Sequence, residues 1–176
     1  MEPNLYLAGI EPESIVDGPG LRTVVFLQGC IRKCPGCQNP STWPREGGTE
    51  LSSAEVMGIV EGNPLCHGVT FSGGEPFLQA KALADLARSL HQKGYEVACY
   101  TGFLFEELLE GTQAQKQLLE NLDILIDGPY VESERSLGLR YRGSRNQRVL
   151  DVPRSLRDKK AVLSMDSRWR DIDEPS

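Results

Sequence analysis

The chain has 176 residues, of which 39% are hydrophobic and 25% are charged, and its net charge is −6. This length fits one domain, and a chain of this size buries about two-thirds of its unfolded surface without disulfide bonds. The acidic balance gives no overall attraction for nucleic acid, and no apolar run reaches the roughly 20 residues that span a bilayer. The first residues also lack the basic and apolar segments of a secretory signal. We therefore expect a cytoplasmic protein that binds neither nucleic acid nor a membrane.

Strand-like and helix-like segments alternate along the chain, which predicts parallel strands joined by crossover helices. The predicted strands lie at residues 21–27, 68–71, 95–100 and 122–127. A capping-box pattern from Ser52 to Glu55 opens the first predicted helix, and residues 77–93 form a strongly amphipathic one. After residue 130 the pattern changes, although residues 140–152 have an extended character. We expect a single domain over residues 1–164 and a flexible polar tail over residues 165–176.

The predicted βα units are too few to close a barrel, since a full eight-unit barrel takes about 250 residues. The fold class is therefore α/β, an incomplete TIM-like barrel. Each predicted strand ends in an unusual segment: a cysteine run, a Gly-Gly-Glu, a Thr-Gly and an Asp-Gly. Ligands bind at this edge of parallel α/β sheets, so we expect the four segments to converge on one site.

Three of the five cysteines form a C-x3-C-x2-C run at Cys30, Cys34 and Cys37. They are too close together to pair easily, and the total is odd, so a reducing compartment is favoured over a disulfide framework. Three thiolates on one loop can hold three irons of a cubane cluster and leave the fourth iron open to a small molecule. Two alternatives stay open: unliganded thiols, or a zinc site in which Cys66 and His67 complete Cys34 and Cys37.

The segment Ser72-Gly73-Gly74-Glu75-Pro76 follows the second predicted strand. Its glycines let a ligand approach the backbone closely, and its carboxylate suits an ammonium group. The alternative is a plain strand-to-helix turn with proline at the first helical position. On the third strand, Cys99 is expected to be a buried, inert thiol.

Three arginines lie close together near the end of the predicted domain, at Arg142, Arg145 and Arg148. They suit a carboxylate, a phosphate or a protein partner, because guanidinium groups form charge-assisted hydrogen bonds with anions. The alternative is a solvated basic segment.

Together, the cysteine run and the Gly-Gly-Glu segment resemble the two best-known motifs of the radical S-adenosylmethionine (SAM) superfamily. Within it, residues 16–22, Val-Asp-Gly-Pro-Gly-Leu-Arg, are similar to the glycyl-radical-enzyme activases. Further segments resemble the activating proteins of anaerobic ribonucleotide reductases, and they lie at residues 37–43, 100–102, 127–130 and 142–148. The resemblance covers about residues 5–152, and it implies a partial barrel of the radical SAM type.

This resemblance implies that Cys30, Cys34 and Cys37 hold a [4Fe–4S] cluster whose open iron binds the amino and carboxylate groups of SAM. The residues implied to contact SAM are Gly36, Cys37, Gln38, Gly73, Gly74, Glu75, Thr101 and Asp127. Of these, the Gly-Gly-Glu segment would receive the amino group. One electron from the reduced cluster would release methionine and a 5′-deoxyadenosyl radical, which takes a hydrogen atom from a glycine Cα of the partner reductase. No residue is assigned as a general acid or base, because the chemistry belongs to the cofactors.

The implied partners are a glycyl radical enzyme, anaerobic ribonucleotide reductase first, and an electron donor such as flavodoxin or ferredoxin. One alternative is activation of another glycyl radical enzyme, or modification of a peptide. The alternative of another class is a non-catalytic iron–sulfur or zinc protein that binds or transfers electrons. The Gly-Gly-Glu segment argues against it, since a simple carrier needs no pocket for an ammonium group.

Overall fold

The computed structural model describes residues 3–171. In this range the strands are β1 (Leu5–Ser14), β2 (Arg22–Leu27), β3 (Thr49–Leu51), β4 (Gly68–Gly73), β5 (Glu96–Tyr100), β6 (Ile124–Asp127) and β7 (Arg148–Asp151). The α-helices are α1 (Ser53–Glu61), α2 (Ala80–Gln92), α3 (Phe105–Leu109), α4 (Gln113–Glu120) and α5 (Val152–Asp158). None of these helices is long and apolar enough to cross a bilayer.

The strands of residues 3–171 form one sheet in the order β3-β1-β2-β4-β5-β6-β7. The four central strands, β2, β4, β5 and β6, run parallel, and β1, β3 and β7 pair antiparallel at the two sides. The central four are the predicted strands, and β7 falls in the segment expected to be extended. The sheet ends at β3 and β7 without closing, which confirms the prediction of an incomplete α/β barrel.

The main hydrophobic core lies between the sheet and a layer of helices in which α2 packs against α1 and α4, and α4 against α5. Successive strand residues point to opposite faces, so Val25, Phe71 and Cys99 face this core. Phe26 and Ser72, beside them in sequence, face a cavity on the other side. Cys99 is fully buried as expected, and burial raises the pKa of its thiol well above the usual value.

The C-terminal segment packs on the sheet face opposite the helices. Trp169 is 1% exposed and lies in a second apolar cluster with residues of β5 and β6. Its ring meets Tyr141 edge-on at 5.3 Å, and the Arg22 guanidinium lies 5.2 Å from its centroid. The described part of the segment expected to be a flexible tail thus contacts the domain, through Trp169 and through Asp171, which pairs with Arg142. The remainder of that prediction, residues 172–176, lies outside the described residues.

Candidate functional site

An open cavity of about 550 Å³ lies at the carboxyl ends of the parallel strands. The four strand-end segments singled out in the sequence all contribute to its wall. The lining includes Cys30, Cys34, Cys37, Gln38, Gly73, Gly74, Glu75, Thr101, Gly102, Gly128 and Tyr130. The structure therefore brings together the four loops that were predicted to converge.

The cysteine loop presents three thiols that form no disulfide bond and are each partly exposed. Backbone hydrogen bonds hold the start of this loop, since Gly29 N donates to Thr42 O at 2.6 Å and Cys30 N to Trp43 O at 3.0 Å. Farther along, Cys37 N donates to Cys34 O at 3.1 Å, which closes a tight turn. Partial burial raises the pKa of the Cys30 thiol. The loop is thus a fixed frame that directs its thiols to one cavity.

The zinc alternative that used Cys66 is wrong. The Cys66 thiol is buried at the amino end of β4, where it donates to Gly68 O at 3.1 Å and contacts Thr23 Oγ1 at 3.4 Å. Cys34 and Cys37 lie at the opposite end of the sheet, and a six-residue strand separates its ends by about 17 Å. Within residues 3–171, no group of three or more His, Cys, Asp or Glu side chains converges on a single metal ion. A cubane makes a different demand, one thiolate for each of three irons, and the loop carries three free thiols in the cavity wall.

The Gly-Gly-Glu segment is bound directly to the cysteine loop. Gly74 N donates to Leu27 O at 2.8 Å, and Glu75 N donates to Gly29 O at 2.7 Å. A Cβ atom at Gly74 would lie 2.2 Å from Gly29 O, and one at Gly73 would lie 2.6 Å from Leu27 N. Both glycines are therefore required by the close approach of two backbones, so the two motifs form one structural unit.

The Glu75 side chain is 2% exposed and is held by three donors. It accepts hydrogen bonds from Thr101 Oγ1 at 2.7 Å, Gly102 N at 2.8 Å and Phe77 N at 3.1 Å. Burial raises the pKa of its carboxyl, and these hydrogen bonds oppose the rise. A carboxylate offers about four acceptor positions. Three are used, so one position remains for a ligand ammonium, and Thr101 fixes the carboxylate that would receive it.

Gln38 and Gly36 flank Cys37 but differ in their placement. Gln38 is exposed and lines the cavity. Gly36 is exposed, adopts a φ of +74° and lies under the Glu132 side chain, whose Cδ would be 2.7 Å from a Cβ atom at this position. A contact between Gly36 and a cofactor stays a prediction, whereas its backbone conformation explains why glycine is needed at the turn.

Asp127 is fully buried behind the cavity wall. Its carboxylate accepts from Phe105 N at 2.8 Å and from Arg148 Nε at 2.9 Å, and Arg148 also pairs with Glu106 at 2.9 Å. These contacts join the end of β6 to the starts of α3 and β7. The prediction that Asp127 contacts SAM is not tested by this arrangement, which assigns it a supporting position.

The three C-terminal arginines do not act as one group. Arg148 is engaged with Asp127, whereas Arg145 is exposed. Arg142 lines the cavity, pairs with Asp171 and donates to Gln147 O at 2.9 Å. Their predicted role in binding an anion or the partner stays a prediction.

Arg32 is a cavity residue that the sequence reasoning missed. It lies between the first two clustered cysteines, and its side chain lines the cavity. The available signal was a basic residue inside a loop expected to hold a cofactor.

Comparison with known proteins identifies the family. The 4Fe-4S single cluster domain family matches residues 16–150. The chain belongs to this family. This iron–sulfur protein is 33% identical over 147 residues to the anaerobic ribonucleoside-triphosphate reductase-activating protein of Salmonella typhimurium, covering 78% of the chain and 93% of that protein. These findings confirm the resemblance that the motifs indicated, and with it the choice of an iron–sulfur cluster over zinc.

Two further similarities are more partial. The protein is 41% identical over 112 residues to the pyruvate formate-lyase-activating enzyme of Clostridium pasteurianum, covering 58% of the chain and 47% of that enzyme. The crystal structure of QueE from Escherichia coli superposes with a TM-score of 0.48 at 16% identity, covering 70% of this chain and 71% of that one.

Proposed function

We propose that the protein is a radical SAM activase that generates a glycyl radical on anaerobic ribonucleotide reductase. The observation that carries this proposal is the joining of two motifs in one cavity wall. Three free cysteine thiols lie beside a buried carboxylate that has an acceptor position left for an ammonium group. A carrier of electrons alone has no use for the second feature.

The residues divide the work of binding. Cys30, Cys34 and Cys37 would hold the [4Fe–4S] cluster, and the Gly-Gly-Glu segment would receive the amino group of SAM. When bound, the cluster and SAM together supply the one-electron chemistry that yields a radical able to take a hydrogen atom from a glycine Cα. The protein positions both groups and shields them from water. Reduced flavodoxin or ferredoxin would provide the electron.

The shape of the cavity supports a protein substrate. The sheet is open within the described residues, and the cavity is open to solvent, so a polypeptide loop can enter it. Val16 lies in the cavity wall. Its side chain and that of the neighbouring Ile15 are each 72% exposed. Exposed apolar side chains at a cavity mouth are typical of a surface that binds another protein.

The test is anaerobic reconstitution with iron and sulfide, followed by reduction and addition of SAM. We expect formation of 5′-deoxyadenosine and, after mixing with anaerobic ribonucleotide reductase, a glycyl radical signal in electron paramagnetic resonance. A protein with a full cluster that forms no 5′-deoxyadenosine would refute the activity. Cys34→Ala, which removes one cluster ligand, is the matched negative control.

A second candidate is activation of another glycyl radical enzyme. The 41% identity to a pyruvate formate-lyase-activating enzyme over 112 residues favours it. The same spectroscopic experiment decides between the two, since each candidate partner is mixed separately with the activase. A radical on pyruvate formate-lyase and none on the reductase would select the second candidate.

A further inference from the structure

Arg32 has an unusual environment for a charged side chain. Its guanidinium lies 4.7 Å from the centroid of the Phe103 ring, and among the described residues its Nε is buried without a hydrogen-bond partner. The carboxylate paired with it is that of Glu107, 3.5 Å away and half exposed. A buried donor of a charged group costs free energy when it is left unpaired. The Arg32 side chain is nevertheless 25% exposed and lines the cavity, so a ligand in the cavity can reach it.

The position of Arg32 is fixed by its neighbours. The side chain lies across Gly102, where a Cβ atom would be 2.2 Å from Arg32 Cδ. The backbone N–H of the same Gly102 donates to Glu75. The Arg32 and Glu75 side chains thus both contact Gly102, and both line the cavity.

The remaining cation of the wall is already engaged. The basic residues among the lining side chains are Arg32 and Arg142. Arg142 pairs with Asp171 and donates to backbone carbonyls of the loop before β7. Of the two cations in this wall, Arg32 is therefore the better placed to bind an anionic ligand group.

We propose that Arg32 binds the carboxylate of the amino-acid end of SAM, while the Gly-Gly-Glu segment binds its ammonium group. This inference rests on the proposed function. The two groups of an α-amino acid are attached to one carbon and carry opposite charges, which matches the adjacent positions of Arg32 and Glu75. A planar guanidinium is suited to a carboxylate, and its stacking on Phe103 presets its orientation.

The test compares two ligands on three forms of the anaerobically reconstituted protein. The ligands are SAM and decarboxylated SAM, which keeps the sulfonium, adenosine and amine but lacks the carboxylate. The forms are wild type, Arg32→Met and the control Lys33→Met, which removes the neighbouring exposed cation of the same loop. Iron content is matched first, and affinities are measured calorimetrically with the cluster oxidised, so that SAM is not consumed.

We expect Arg32→Met to weaken the binding of SAM by about tenfold or more, because a charge-assisted hydrogen bond is lost. The affinity for decarboxylated SAM should be unchanged, and Lys33→Met should match wild type with both ligands. An Arg32→Met variant that binds SAM as wild type does, or that weakens both ligands equally, would overturn the inference. Wild type that holds a full cluster but binds no SAM would refute the proposed function itself.

A second pair of variants covers the case in which Arg32→Met loses iron. Arg32→Gln removes the charge, and Arg32→Lys keeps it. We expect the glutamine variant to bind SAM about tenfold more weakly than the lysine variant. Equal affinities for SAM in the two variants would overturn the inference.

Discussion

Replacing Gly74 with alanine tests whether the two motifs form one structural unit. The new Cβ would lie 2.2 Å from the Gly29 carbonyl oxygen and 2.8 Å from its carbon. Ordinary contacts between carbon atoms are about 3.5–4.0 Å, so the two backbones must separate by about 1 Å. The separation breaks the 2.7 Å hydrogen bond from Glu75 N to Gly29 O. Overpacking costs about 1–3 kcal/mol and the lost hydrogen bond adds about 1, so we expect a destabilisation of about 2–4 kcal/mol.

The assay is urea unfolding of the apoprotein under reducing, anaerobic conditions, with iron content measured after reconstitution. In a parallel thermal unfolding experiment, a destabilisation of about 2–4 kcal/mol corresponds, for a chain of this length, to a decrease in Tm of about 4–16 °C. Iron retention should also fall, because the displaced loop carries the cluster cysteines.

The matched control is Gly58→Ala in the interior of α1, where a Cβ meets nothing within 4 Å. Helix propensity predicts that this change stabilises the protein by about 0.5–1 kcal/mol. If Gly74→Ala kept the urea midpoint and the iron content of wild type, the Gly-Gly-Glu segment and the cysteine loop would not form one structural unit.

Three further predictions concern other parts of the molecule. Asp127→Asn should lower the free energy of unfolding of the apoprotein by about 3 kcal/mol, because it breaks the buried ion pair with Arg148. Glu106→Gln, at the exposed end of the same network, should cost under about 1 kcal/mol. Equal urea midpoints for the two variants would contradict the supporting role given to Asp127. Cys34→Ala should abolish iron binding, whereas Cys99→Ala should keep the full iron content; iron analysis showing the reverse would remove the cluster assignment. Trp169→Ala should cost about 3–5 kcal/mol in urea unfolding, because a fully buried ring is lost, and an unchanged midpoint would show that the C-terminal segment contributes nothing.

The central strands could be predicted because their signals are local: apolar runs bounded by turn residues and followed by helical periodicity. The first strand was missed because its pattern is interrupted. Gly9 and Pro12 lie inside it, and its pairing with β2 shifts register twice, between Leu7 and Gly9 and between Glu11 and Ser14. Proline is tolerated in such a bulged strand, but it weakens the sequence signal. The second missed strand, β3, is only three residues long, and it pairs with β1, which is distant in sequence.

The site shows the same division between local and distant information. The three clustered cysteines are close in sequence, so their common loop could be predicted. The partners of Glu75 come from the end of the next strand, and no local pattern indicates them. The glycines before it were assigned to the approach of a ligand, yet the structure shows them in contact with the cysteine loop. Arg32 was missed for the same reason, since its surroundings at Gly102 and Phe103 are about 70 residues away along the chain.

The Val-Asp-Gly-Pro-Gly-Leu-Arg segment shapes the cavity through contacts at the amino end of the sheet. Arg22 is buried at the amino end of β2, and its Nε donates to Thr70 Oγ1 at 3.0 Å. The Thr70 hydroxyl donates in turn to Asp17 O at 2.9 Å, and Asp17 lies in the cavity wall with Val16. Arg22 also donates to the Glu96 side chain at 2.8 Å, which joins β2 to β5. Because β2 carries this arginine at one end and the cysteine loop at the other, it sets the cavity mouth relative to the cluster cysteines.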